Sequence, residues 1–165
     1  MKPGKPADSS KRLKLTDVED TRFLHCNIKT LNLLVNVMAA EKAESMGCGE
    51  CVFHRGDVVT ECAHSNVSII KDGIFKTHPT DHYILPGITR MHIIQICKDN
   101  GIPVDETPFT MAELMDADEI IVSSSTKFCS PACEMNGTPI GGKAPELVKL
   151  IQEKYVEKFE NETAN

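Results

Sequence analysis

Two hairpin signals in the middle of the chain constrain the fold more than any other feature of the sequence. Each signal is a pair of short apolar runs with a turn sequence between them. The paired runs are Cys51–His54 with Val58–Thr60, and Val67–Ile70 with Ile74–Lys76. The second turn contains Asp-Gly, which is a strong signal for a β-hairpin when apolar runs flank it. The centre of the chain is therefore predicted to form short strands joined by tight turns.

Segments with helical features lie on both sides of these strands. Residues Leu31 to Met46 are apolar almost all round through Ala40 and polar thereafter, so this helix is predicted to begin in a core and end at the surface. A second helix is predicted to open at Pro86–Thr89 and to end at Gly101. A last helix is predicted from Pro145, with a buried stripe formed by Leu147, Ile151, Tyr155 and Phe159.

The residues between the second and last helices alternate between strand and turn signals. A strand is predicted over Val104–Phe109, and Thr110 is predicted to cap a short helix, Met111–Met115. A buried strand, Ile120–Val122, is predicted to end in the hydroxyl-rich stretch Ser123–Thr126, and a hairpin is predicted around Asn136-Gly137. Together these elements predict an α+β or mixed α/β fold.

Length and composition predict one cytosolic domain with a tail. The chain has 165 residues, 41% of them hydrophobic, which suits a single core. Residues 1–14 are basic and rich in Pro, Gly and Ser, so we expect a disordered tail, with the folded domain at 15–165. The net charge of -6 argues against a nucleic-acid partner. No apolar run is long enough for a membrane span or a secretory signal, which predicts a cytoplasmic protein.

The seven cysteines are predicted to be free thiols without a metal. Cys48 and Cys51 have the Cys-x-x-Cys spacing, but they follow a helix and precede a strand, which disfavours a thioredoxin-type redox pair. A zinc site would need two further ligands, and Cys129 with Cys133 does not complete a convincing set.

Four places along the chain could carry chemistry. Lys29 lies between Ile28 and a run of leucines, where burial would lower the pKa of an amine and make it a nucleophile, although such a lysine often reaches water instead. Glu61 is an acid at a strand end. Gly87 lets the backbone approach a ligand at a helix start, where free N–H groups suit a phosphate. The hydroxyls of 123–126 lie at another strand end, and each of these signals also fits an ordinary turn or surface position.

In their order and in the sequence motifs around them, these positions resemble the C-terminal domain of the class IV, fold-type IV aminotransferases, which depend on pyridoxal 5'-phosphate (PLP). The resemblance covers about residues 15–160 and favours the branch of the family that transfers an amino group from D-amino acids such as D-alanine to 2-oxo acids such as 2-oxoglutarate. The motifs that resemble those of the family are His25–Leu34, His54–Glu61, Ser65–Val67, Thr77–Pro79, Leu85–Arg90 and Ala117–Glu119.

The resemblance implies a role for each candidate residue. Lys29 would form the Schiff-base link to PLP and move the substrate proton, and Glu61 would pair with the protonated pyridine nitrogen. Arg22 would bind the phosphate. The further positions implied at the cofactor are Leu85 against the ring face, Gly87, Ile88, Thr89 and Ser125 near the phosphate, and Ser65 and Asn66 beside Glu61.

The chain also departs from the family pattern. Cys62 stands where a glycine is usual and His64 where a serine is usual, while the word Leu85–Arg90 is closer to branched-chain aminotransferases. The resemblance also implies an N-terminal domain that contributes the groups holding the substrate carboxylate, and we expect that residues 1–21 cannot take its place. We therefore expect a homodimer or an association with such a domain. The alternatives are a branched-chain aminotransferase, an aminodeoxychorismate lyase, or a non-catalytic remnant that binds the cofactor or only packs against a partner.

Overall fold

The computed structural model describes residues 11–163, so most of the predicted tail lies outside the described residues. The tail was predicted to end at residue 14, so it overlaps the first strand, which begins at Leu13. The described chain has nine strands, namely β1 Leu13–Glu19, β2 Glu50–Arg55, β3 Val58–Cys62, β4 Asn66–Lys71, β5 Ile74–Thr77, β6 Val104–Asp105, β7 Glu119–Ser124, β8 Phe128–Met135 and β9 Thr138–Pro139. Its four helices are α1 Leu34–Ser45, α2 Ile88–Asp99, α3 Met111–Asp116 and α4 Pro145–Thr163.

The strands form one mixed sheet in the order β3-β2-β1-β8-β7-β4-β5-β6, and β9 extends it beside β8. Strand β1 runs parallel to both β2 and β8, whereas the β2–β3 and β4–β5 pairs are antiparallel, as the turn sequences predict. The sheet curls, and a backbone hydrogen bond of 2.7 Å from Cys62 N to Ser65 O closes the turn from β3 into β4. The predicted mixed α/β class is confirmed.

Two apolar layers lie on opposite faces of the sheet because successive strand residues point to opposite sides. Val52 and Val122 belong to an inner core with Leu15, Phe109 and Met135. The residues next to them in sequence face outward, where Phe53 packs with α1 and Ile121 packs with α2 and α4. Helices α1, α2 and α4 therefore pack on the outer face of the sheet, whereas Leu114 of α3 belongs to the inner core on the other face.

Several predicted elements are confirmed, and others need correction. The hairpins, the start of α4 at Pro145 and the Thr110 cap are all present, and Thr110 forms a reciprocal capping box with Glu113. The strand predicted over Val104–Phe109 is wrong beyond Asp105, since Phe109 leaves the sheet and enters the inner core. Strand β1 was not predicted, although it is central.

The prediction that the first helix begins in a core is wrong for this chain. The helix starts at Leu34, three residues later than predicted, and Leu31 and Leu34 are 96% and 71% exposed. Only Asn36, Ala39 and Ala43 of α1 are buried, and they face β2 and the turn after β3. No other described segment covers the apolar side of α1. Within residues 11–163, no helix is long and apolar enough to cross a membrane.

Candidate active site

A buried carboxylate, Glu61, lies at the centre of the candidate site. It is near the end of β3 and only 5% exposed. Three donors hold it: Arg22 Nη1 bonds to Oε1 at 2.6 Å, while Asn66 Nδ2 and Leu85 N bond to Oε2 at 3.1 and 3.0 Å. Because each carboxylate oxygen can accept more than one hydrogen bond, Glu61 keeps capacity for one further donor.

Arg22 lies behind Glu61 and is 8% exposed. Its Nε and Nη2 donate to the two oxygens of Asp20, each at 2.9 Å, and Nη2 also lies 3.3 Å from the Tyr83 carbonyl oxygen. The guanidinium stacks 4.3 Å from the centre of the Phe53 ring. All three nitrogens are thus engaged by the protein. No contact in the structure tests the predicted role of Arg22 as a phosphate ligand, which stays a prediction.

Burial and charge act in opposite directions in this group. Burial raises the pKa of Glu61 to about 7, although the charge and hydrogen bond of Arg22 act to lower it. Burial would also raise the pKa of Asp20, but the hydrogen bonds and the charge of Arg22, together with the charge of Arg55, hold that pKa below the ordinary value. For Arg22, burial favours the neutral form, yet Asp20 and Glu61 raise its pKa, so the guanidinium stays charged.

The start of α2 lies directly against Glu61. Asn66 Nδ2 donates to both Glu61 and the Leu85 carbonyl oxygen, the latter at 2.9 Å. A Cβ on Gly87 would overlap Asn66 Oδ1, so only glycine leaves room for this arrangement. The structure therefore brings together four residues predicted from the sequence, and it shows why the residue before α2 is a glycine.

The residues predicted to bind the phosphate lie at the start of α2 and just beyond β7. Thr89 lies buried in the first turn of α2, whereas Ile88 is exposed. Ser125 is exposed and lies just beyond β7, whose Ser123 pairs with Asn66 in the sheet. No side chain of the described residues caps the N-terminus of α2. The first N–H groups of this helix therefore keep the anion-binding character of a helix start.

Lys29 lies on the irregular segment between β1 and α1, and its side chain is exposed. Within the described chain it makes no hydrogen bond, so the buried setting considered for it is not present. The segment is held to the loop before α2 by a 2.9 Å hydrogen bond from Cys26 N to the His82 carbonyl oxygen. This contact joins the segment that carries Lys29 to the loop that carries His82 and Leu85.

The turn after Glu61 shows how the departures from the family pattern are accommodated. Cys62 is buried, and its φ angle is not among the positive values, so the position has no need of a glycine backbone. Ser65 is turned toward Glu50, to which it donates at 2.8 Å, and His64 is exposed. Ser65 therefore lies near Glu61 in sequence but makes its hydrogen bond to another carboxylate.

The family model for class IV amino-transferases matches residues 1–135 of this chain. The D-alanine aminotransferase of Listeria monocytogenes is 46% identical over 142 residues, which cover 86% of this chain and 49% of that protein. The chain belongs to the class IV aminotransferases. It spans about half the length of the curated relatives it matches.

Solved structures of the family share the fold. The fold IV transaminase CpuTA1 of Curtobacterium pusillum has a TM-score of 0.83 at 20% identity, over 94% of this chain and 55% of that one. The branched-chain amino acid aminotransferase of Escherichia coli has a TM-score of 0.79 at 26% identity, over 87% of this chain and 51% of that one. The curled mixed sheet is thus the architecture of fold-type IV transaminases.

The residues that support Arg22 were not predicted from the sequence. Asp20 is 4% exposed and also accepts a 3.1 Å hydrogen bond from Thr60 Oγ1. Arg55 lies 3.3 Å from the same carboxylate and donates to the Arg22 carbonyl oxygen at 2.9 Å. An acid two residues before Arg22, and Thr60 beside Glu61, were the available signals. Among residues 11–163, no three His, Cys, Asp or Glu residues are grouped so as to hold a metal ion.

Proposed function

We propose that this chain is the PLP-binding part of an aminotransferase that transfers an amino group from a D-amino acid such as D-alanine to a 2-oxo acid such as 2-oxoglutarate. The observation that carries the proposal is the buried Glu61 carboxylate, held by Arg22, Asn66 and Leu85. It is supported by 46% identity to a D-alanine aminotransferase. Cytoplasmic location is part of the same proposal.

The residues present fit PLP at both of its ends. Glu61 has spare acceptor capacity for a protonated pyridine nitrogen, and Leu85 lies beside it for the ring face. The helix start at Ile88 and Thr89, together with the Ser125 hydroxyl, suits the phosphate. When bound, PLP supplies an electron sink for the charge left as the substrate loses its α-proton.

Lys29 would supply the amine that holds the cofactor and moves the proton. Its exposure in this chain agrees with a site that a further structural unit closes. A lysine works as a base near neutral pH when its surroundings disfavour its charge. We propose that this environment is completed by a part of the enzyme that faces the segment between β1 and α1.

An exposed apolar surface marks where that unit would pack. The apolar surface is made by exposed side chains of one segment, Phe23, Leu24, Ile28, Leu31, Leu33, Leu34, Val37 and Met38. Soluble monomers rarely expose apolar patches of large area. Because the curated relatives are about twice as long as the matched region, we propose that the other half of such a protein covers this surface.

A branched-chain aminotransferase is the second candidate. The sequence motif Leu85–Arg90 resembles the branched-chain branch more than the D-amino-acid branch. The Escherichia coli structure shares the fold at 26% identity. The two candidates share the residues at the cofactor and differ in the substrate. Comparing D-alanine with L-leucine as amino donor to 2-oxoglutarate decides between them. The lyase and remnant alternatives stay predictions. Absence of transfer from either donor, measured with the half of the Listeria D-alanine aminotransferase that this chain does not match added, would favour them.

The test of the proposal is covalent labelling of Lys29. The chain is incubated with PLP, reduced with borohydride and mapped by mass spectrometry. We expect the label on Lys29, and we expect Lys29→Ala to lose the PLP absorbance while Lys149→Ala, which removes an exposed lysine of α4, keeps it. Label found mainly on Lys149 or Lys154 would refute the assignment.

A further inference from the structure

We propose that Arg22, clamped by Asp20, is the positioning residue that fixes the direction and the charge of Glu61 toward the ring nitrogen of the cofactor. The inference rests on the proposed function for its purpose, but its geometry is independent of it. It gives Arg22 a different task from the phosphate binding that the family resemblance implies.

The first support is the fixed geometry of the guanidinium. Asp20 holds two of its nitrogens in a paired arrangement, and the Phe53 ring supports one face. A planar guanidinium held in this way has one remaining direction for Nη1, and that direction is toward Glu61 Oε1 at 2.6 Å. Asp20 is itself held by Thr60 and by the backbone N–H of Arg22, at 3.1 and 3.0 Å.

The second support is the balance of charge. Glu61 is buried, and a buried carboxylate becomes neutral unless a cation or several donors favour its charged form. Arg22 is the cation in contact with it, whereas Asn66 and Leu85 contribute neutral donors. A neutral Glu61 could not stabilise a protonated pyridine nitrogen, so the charge that Arg22 favours is the charge that the cofactor requires.

The surroundings of Glu61 contain few other groups that could set its charge. The charged or titratable neighbours in the described chain are Asp20 and Arg22 behind it, Arg55 beyond Asp20, and the thiols of Cys26 and Cys62. Burial raises the pKa of both thiols, so they stay neutral at physiological pH. Removing the Arg22 charge therefore leaves Glu61 without a cation in direct contact.

The experiment follows the Glu61 carboxyl by ¹³C NMR in the cofactor-free chain, with the signal assigned by Glu61→Gln. In Arg22→Met, we expect the titration midpoint to rise by about one to three pH units, the size expected for loss of an adjacent opposite charge. Arg22→Lys keeps the positive charge but lacks the planar guanidinium, so the titration midpoint of Glu61 should rise less than in Arg22→Met. Arg12→Met is the matched control. It breaks the ion pair between Arg12 and the buried Glu119 and should leave the titration midpoint of Glu61 unchanged.

A second measurement separates this role from phosphate binding. Binding of PLP and of pyridoxal, which lacks the phosphate, is measured for the parent and for Arg22→Met at neutral pH. A positioning role predicts that both ligands weaken by a similar factor, on the order of tenfold per pH unit of midpoint shift. If Arg22 instead binds the phosphate, Arg22→Met should weaken the binding of PLP and leave the binding of pyridoxal unchanged. That result would overturn the inference.

The outcomes for the inference and for the proposed function are distinct. If the Glu61 midpoint is unchanged in folded Arg22→Lys and Arg22→Met chains that still take up PLP at Lys29, the inference fails alone. If the midpoint rises but the parent chain takes up no PLP at Lys29, the proposed function fails while the coupling of Arg22 to Glu61 stands. Should Arg22→Met not fold, the milder Arg22→Lys chain carries the same test with a smaller expected shift.

Discussion

At Glu61, burial and ion pairing oppose each other, and the balance makes the stability of the chain depend on pH. The pKa of this group is about 7 in the folded chain, against an ordinary value of 4.5. Between these two values the folded chain holds a proton that the unfolded chain has released. The stabilisation is therefore complete below the unfolded pKa and is lost as the pH rises through 7, by up to about 3 kcal/mol.

We therefore expect the free energy of unfolding to fall between pH 5 and 8, and Glu61→Gln to flatten this part of the profile. Urea unfolding at several pH values measures the difference between the two chains. Glu160→Gln, which changes an exposed glutamate of α4, is the control and should keep the slope of the parent. Equal slopes for the parent and Glu61→Gln would show that Glu61 is already ionised across this range.

The meeting of the candidate residues on and beside β3, β4 and α2 could be predicted at the residue scale because they occur in short, specific sequence motifs. Glu61, Asn66, Leu85 and Gly87 do meet in the structure. The support behind them could not be predicted, because Asp20 and Arg22 meet Glu61 only after β1 and β3 are placed by the sheet. A sequence shows which groups are charged, but it does not show which of them become buried together.

Among the secondary elements, the turns carried the most information. The Asp72 turn predicted its hairpin because the turn chemistry is local, and Asp72 indeed has a φ of 49° there. Strand β1 was missed because it follows a polar tail and mixes charged and apolar residues, and its partners β2 and β8 are distant in sequence. Helix α1 was recognised, but its environment was not, since that environment depends on what covers it.

The start of α2 gives a prediction at the scale of elements. Gly87 has an ordinary φ of -65°, so an alanine there would not strain the backbone itself. Its Cβ would instead displace the Asn66 side chain and break buried hydrogen bonds to Glu61 and Leu85. We expect Gly87→Ala to destabilise the chain by about 1–3 kcal/mol.

A double-mutant cycle isolates this cause. In an Asn66→Ala background the overlapping oxygen is gone, so adding Gly87→Ala should cost little. Chemical unfolding of the parent, the two single variants and the double variant gives the coupling energy. Additive effects of the two substitutions would show that the glycine is required for a reason other than Asn66.

For the whole molecule, the exposed apolar surface of residues 23–38 predicts behaviour in solution. Several of its side chains are more than half exposed, Met38 among them at 63%. Such a surface lowers its free energy by association, at about 25 cal/mol for each Å² of apolar area that becomes buried. We expect the isolated chain to self-associate and to be a very poor transaminase, because we propose that groups orienting the substrate lie in the half of such an enzyme that this chain does not match.

Sedimentation velocity tests this prediction with matched charge substitutions. Leu34→Glu and Met38→Glu should reduce self-association, because a charge within the apolar surface opposes its burial. Ile74→Glu places the same charge at an exposed apolar position of β5, outside this surface, and should leave association unchanged. Adding the half of the Listeria D-alanine aminotransferase that this chain does not match should reduce self-association and raise turnover of D-alanine. A monodisperse monomer with full activity would contradict the prediction, since residues 11–163 would then hold a complete site without a covering unit.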